Sequence, residues 1–149
     1  MKAPQTLAKE LNKQFPNENL KIIGENACCA FVLMWCLGLD PSDIEAIQTV
    51  QRMREAQVLR KDCVVFWYKA VPYLTGRELV DVQFKKIKSL KGIKKRTPVL
   101  MAKEGNAEGE GHWVGVENGK IGFNPLIYSK NVEEGKPVEM RILKIKGVD

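Results

Sequence analysis

The chain has 149 residues, 44% hydrophobic and 28% charged, with a net charge of +6 and a pI near 9.2. That length supports one ordinary domain with its own core, and the composition excludes disordered and collagen-like classes. The longest apolar run, residues 27–39, is too short to span a bilayer, and residues 1–10 carry no apolar stretch of signal-peptide type. A cytoplasmic chain without a membrane partner is the expectation.

Leu7, Leu11 and Phe15 recur at four-residue spacing and predict an amphipathic helix over residues 6–15, ended by Pro16-Asn17. Residues 26–37 are apolar on every side and read as a helix in the middle of the fold, stopped at Gly38. Asp40-Pro41 opens another, with proline in its first turn and Ser42 and Glu45 available for capping. Its expected core face is Ile44, Ile47, Val50 and Met53. A short helix over residues 65–74 should end near Gly76.

The period then changes. Val80, Val82 and Phe84 alternate with polar residues, as do residues 99–102 and 113–117. Asn118-Gly119 suits a type I′ turn, so residues 113–116 should pair antiparallel with 120–123. A last strand is expected over residues 138–145. Helices followed by antiparallel strands is α+β order, with no repeat or linker dividing residues 1–149.

Four cysteines are present, Cys28, Cys29, Cys36 and Cys63, with no C-x-x-C spacing and a single histidine, His112. A structural zinc site is therefore not expected, nor is any cofactor. Cys36 and Cys63 read as buried thiols. The basic run over residues 85–96 has no interleaved aromatics, and Ile87, Leu90 and Ile93 within it look like core anchors. It reads as a solvated face rather than a nucleic-acid grip.

A thiol hydrolase needs a cysteine at a helix N-terminus, an imidazole within reach, and a polar group to orient the ring. Cys28 and Cys29 lie near the start of the central apolar helix, His112 opens the hairpin, and Asn124 closes it. A turn at Asn118-Gly119 would bring His112 and Asn124 to the same open end of two paired strands. The glycine-rich stretch from Gly105 to Gly111 has no P-loop pattern and reads as a loop beside the cleft.

Gly111-His112-Trp113-Val114 followed by Phe123-Asn124-Pro125-Leu126 resembles the His and Asn segments of papain-like peptidases. The similarity is to bacteriocin-leader-processing peptidases and to a phage- and plasmid-borne papain-like family. Arg60-Lys61-Asp62-Cys63-Val64-Val65 and the tail through Arg141-Ile142-Leu143-Lys144 resemble the latter as well. The resemblance implies a papain-like α+β fold, N-terminal helices with a buried central helix packed on a C-terminal antiparallel sheet. It also implies a peptide or protein partner.

Counting back from Gly38, the family spacing puts the nucleophile at Glu25, and an oxyanion-stabilising side chain six residues upstream falls on Asn19. Glutamate cannot replace a thiolate as acyl acceptor. The register thus favours a non-catalytic or repurposed peptide- or protein-binding relative, with Glu25 paired to His112 and raising its pKa. The alternative is an active thiol hydrolase of peptide or isopeptide bonds using Cys28, His112 and Asn124. In that reading Cys28 lies one turn from Glu25, and a shorter helix brings it forward; Cys29 points about 100° away. A basic nucleic-acid-associated module is the third reading.

Overall fold

A computed structural model describes residues 1–105 and 111–148. Its first half is helical. Helix α1 (Pro4–Gln14) has proline at its first position and turns Gln5 and Ala8 inward. Asn17 does more than end it. The Asn17 side chain accepts from the N–H groups of Asn19 and Leu20 and so caps a helix that periodicity did not predict, α2 (Glu18–Asn26).

The central apolar helix is shorter than expected. Ala27, at φ −88° and ψ 12°, caps the end of α2 and the start of α3 (Cys28–Cys36). Cys28 is therefore the first residue of α3. From Cys28 to Met34 every side chain is buried, as an apolar helix without a polar face must be.

Helix α4 (Asp43–Glu55) starts with a capping box between Ser42 and Glu45. Pro41 precedes the cap instead of lying in the first turn. The buried stripe is Ala46, Ile47, Val50 and Met53, while Ile44 is exposed. Ile44 lies about 200° around the helix from Ala46, which takes it off that stripe. Helix α5 (Trp67–Thr75) ends at Gly76, whose φ of 70° makes the left-handed stop.

The second half supplies β1 (Leu79–Lys86), β2 (Thr97–Ala102), β3 (His112–Glu117), β4 (Lys120–Phe123), the short helix α6 (Lys130–Glu133) and β5 (Lys136–Ile145). The five strands form one antiparallel sheet in the order β1-β5-β2-β3-β4. Asn118 and Gly119 both have positive φ, 53° and 74°, as a type I′ turn demands. The chain is an α+β domain with α3 buried between the other helices and the sheet.

The sheet has two covered faces. Trp113 and Phe123 pack toward α3 with Val82, Leu143 and Trp35. Val99, Met101, Val114 and Val116 pack on the other side against Ile93, with Ile87 and Leu90 beside it. The basic segment is therefore anchored by its isoleucines and leucine, and Lys85, Lys86, Lys88, Lys91, Lys94 and Lys95 stay exposed.

Trp35 couples α3 to the hairpin. Its indole lies over Gly115 of β3 and Gly122 of β4, stacks on Phe123 with centroids 6.0 Å apart, and is covered by the Arg96 guanidinium at 4.2 Å. A Cβ at Gly122 would fall 2.9 Å from Trp35 Cζ2. Two glycines thus admit one tryptophan, and that contact fixes where the hairpin ends lie relative to the start of α3. No helix among the described residues is long and apolar enough to cross a membrane.

Candidate thiol–imidazole site

The hairpin brings His112 and Asn124 together: His112 Nε2 lies 2.7 Å from Asn124 Oδ1. The same oxygen accepts from the backbone N–H of Leu126 at 3.2 Å. Since an amide oxygen only accepts, this second bond fixes which end of Asn124 faces the ring. His112 must then donate from Nε2, which leaves Nδ1 with the lone pair. The Asn-Pro pair following β4 thus selects the tautomer.

His112 is 4% exposed. Burial pushes its pKa below the ordinary 6.5; the bond to Asn124 offsets part of the fall, and the charge of Lys9 adds to it. The expectation that Glu25 raises this pKa is overturned. Glu25 is exposed, and among the described residues no ion pair joins it to His112. The reason is the break at Ala27: α2 turns Gly24 inward and Glu25 outward. Asn19 is engaged elsewhere, its Oδ1 accepting from Arg54 Nη1 at 3.1 Å on an exposed face.

Cys28 occupies the first position of α3, where amides of the first turn have no intrahelical acceptor. Burial pushes its thiol up, and the backbone of Trp113, Cys29 and Cys28 itself offsets part of the rise. Trp113 is the residue directly after His112. Helix α3, which begins at Cys28, packs on β3, the strand that opens with His112. Burial raises the Cys29 thiol strongly, and the charge of Arg141 offsets part of the rise. Cys63 is pushed up to about 11 by burial, and Cys36 is raised well beyond its ordinary range for the same reason.

Two residues at the site escaped the sequence reading. Gln5 is 2% exposed and donates from Nε2 to the Gly24 carbonyl at 3.0 Å, while its buried Oε1 has no partner among the described residues. Lys9, one turn later on α1, lies against Gly24: a Cβ there would come 2.8 Å from Lys9 Cγ. The backbone N–H groups of Gln5 and Thr6 both donate to Pro125 O, at 3.1 and 3.2 Å, and Ile127 N donates to Thr6 Oγ1 at 3.0 Å. Helix α1 is therefore a bracket between the turn that holds Asn124 and the chain that enters α3. Gln5 precedes the helix expected over residues 6–15, and the observed α1 starts earlier, at Pro4.

The expected loop beside the cleft falls mostly on residues 106–110, outside the described residues. Among the described residues no cluster of His, Cys, Asp and Glu is fit to hold a metal. A groove of about 900 Å³ lies away from His112, along β5 and the end of α3, lined by Cys36, Arg96, Glu117 and Arg141 among others.

The His112 geometry has a measurable consequence. Its imidazole should titrate below 6.5 by NMR. Because the folded pKa is depressed, its contribution to stability is complete above the unfolded value and is lost as pH falls through the folded one. Urea midpoints should drop between pH 7 and pH 5 by more in the native chain than in His112→Gln; equal drops would contradict a buried neutral ring.

Comparison of the chain with protein-family models, with curated proteins and with solved structures finds no match.

Proposed function

We propose that the chain is a papain-type thiol hydrolase acting on an amide or isopeptide bond of a peptide or protein. The observation that carries this reading is the His112–Asn124 pair, its tautomer set by Asn124, at the head of β3, the strand on which the helix beginning at Cys28 packs. Cys28 is the nucleophile, His112 the general base and acid, and Asn124 the orienting group.

Burial raises the thiol and lowers the imidazole, so both are neutral at rest. In the proposed reaction His112 Nδ1 takes the thiol proton as sulfur attacks the carbonyl carbon. The oxyanion develops near the first amides of α3, which supply preorganised donors. Collapse expels the amine, which receives the proton from Nδ1 and leaves an acyl-thioester. Water, deprotonated by the same nitrogen, then releases the acid and the thiol.

A peptide vinyl sulfone tests this directly, because addition needs both the thiolate and a proton donor. Mass spectrometry should find the adduct on Cys28, absent in Cys28→Ala and strongly slowed in His112→Ala. An adduct formed equally well without His112 would sink the reading.

Burial of Cys28, 9% exposed with its thiol raised, favours a second reading. In it the domain is a non-catalytic peptide- or protein-binding relative on the same scaffold, and all four thiols stay unlabelled until the chain unfolds.

A further inference from the structure

Strand β5 carries on past the strand beside it. Its pairing with β1 runs unbroken from Glu139 to Lys144, whereas its pairing with β2 ends at Val99–Met140. The cause lies on β2. The residue before Val99 is Pro98, which has no N–H to offer the Arg141 carbonyl. Two residues earlier the chain is outside the sheet, where Arg96 donates to Trp35 O at 3.0 Å and lies over the indole.

The register identifies the groups left over. Ile87 N donates to Val138 O at 3.0 Å, so Val138 turns its backbone groups to β1; by antiparallel alternation Met140, Ile142 and Lys144 do the same. Arg141 and Leu143 turn theirs to the other side. Among the described residues the Leu143 N–H and C=O meet no partner there. An unpaired donor and acceptor on a strand are a template for one strand more. They lie in the wall of the groove of about 900 Å³, which is lined by all of Arg141 to Ile145 together with Leu37, Gly38 and Thr97. Its charged lining is Lys95, Arg96, Arg141 and Lys144 against Asp81 and Glu117, an excess of cations.

We propose that this groove binds an extended acidic peptide segment of a partner protein, added as a strand beside Leu143. Main-chain bonds to Leu143 give the segment its direction, and the cationic lining selects its acidic side chains. A nucleic-acid strand would meet the same charges, but its phosphates offer no donor to the Leu143 carbonyl. The site does not depend on Cys28 being a nucleophile. In a hydrolase it holds the substrate at a distance from the scissile bond; in a non-catalytic relative it is the partner's seat.

Random heptapeptides displayed and selected on the full chain, then synthesised with a fluorescent tag, test it. The selected peptides should be rich in Asp and Glu, and their binding should weaken several-fold from about 50 mM to about 500 mM salt. On titration the Leu143 amide should shift by heteronuclear NMR and exchange more slowly. Methylating the peptide amides that face β5 should weaken binding about two- to tenfold for each ladder bond lost, and methylating the alternate amides should not. Lys144→Glu, an exposed change, should weaken binding, and Cys28→Ala should bind as the native chain does. That last result keeps this site separate from the thiol chemistry, whose failure would leave it standing. Selection of no peptide or of peptides without acidic residues, an unmoved Leu143 amide, tolerance of methylation at every position, or loss of binding in Cys28→Ala each overturns the proposal. So does displacement of the peptides by oligothymidylate at equal concentration, which would indicate a site for phosphates.

Discussion

Replacing His112 by alanine is expected to slow modification of Cys28 by a peptide vinyl sulfone by about 10²–10⁴-fold, the span of a positioned general acid–base. The pH dependence identifies the resting state. A neutral thiol beside a neutral imidazole is active once His112 has lost its proton, so the rate should rise through a midpoint below 6.5. It should not fall again at the alkaline end of the neutral range, because the Cys28 thiol is raised above its ordinary 9.0. A bell centred near pH 6 would instead indicate a thiolate–imidazolium pair and would contradict the burial of both groups. Asn124→Ala separates positioning from packing. Loss of the Oδ1 acceptor lowers the maximum rate by freeing the tautomer, and removes a bond that holds the His112 pKa up. The midpoint should therefore move further down as the maximum falls. An Asn124 that merely packs would lower stability and leave the midpoint where it was.

The elements were largely legible in the sequence because their signals are local. Ser42 and Glu45 form the capping box that their spacing implied, Gly76 makes its left-handed stop, and Asn118-Gly119 closes the hairpin. The hairpin turn alone put His112 and Asn124 at one end of paired strands, where they meet. What the sequence hid is the break at Ala27. An alanine carries neither a cap side chain nor a helix-breaking ring, so residues 18–36 offered no mark between α2 and α3. The spacing counted back from Gly38 fell on Glu25, which is exposed and belongs to α2, whereas α3 begins at Cys28. The bracket made by α1 was equally hidden. Gln5 to Gly24 and Gln5 to Pro125 are contacts between distant residues, which no periodicity encodes.

Gly115→Ala should give the largest loss of stability of any single methyl addition at the site. The added Cβ would overlap Cε3 and Cζ3 of Trp35, and the indole has nowhere to retreat. Phe123 stacks against it at 6.0 Å, Arg96 covers it at 4.2 Å and donates to the Trp35 carbonyl at 3.0 Å, and Gly122 closes the remaining side. Overpacking of a fixed core contact costs about 1–3 kcal/mol, and the blocked retreat places this site toward the upper end. Alanine is otherwise no burden on the strand, so the loss measures the collision with Trp35 rather than a backbone preference. Urea denaturation checks it: a lowered midpoint at unchanged slope is the expected result. The double variant Gly115→Ala with Trp35→Leu should recover part of the loss relative to Trp35→Leu alone, since the colliding ring is gone. Full additivity of the two changes would mean that Trp35 does not hold the hairpin. The functional consequence follows from the same contact, because the hairpin ends carry His112 and Asn124 while Trp35 belongs to the helix that begins at Cys28. A variant that stays folded with the hairpin lifted by a methyl group should lose Cys28 reactivity beyond what its stability predicts.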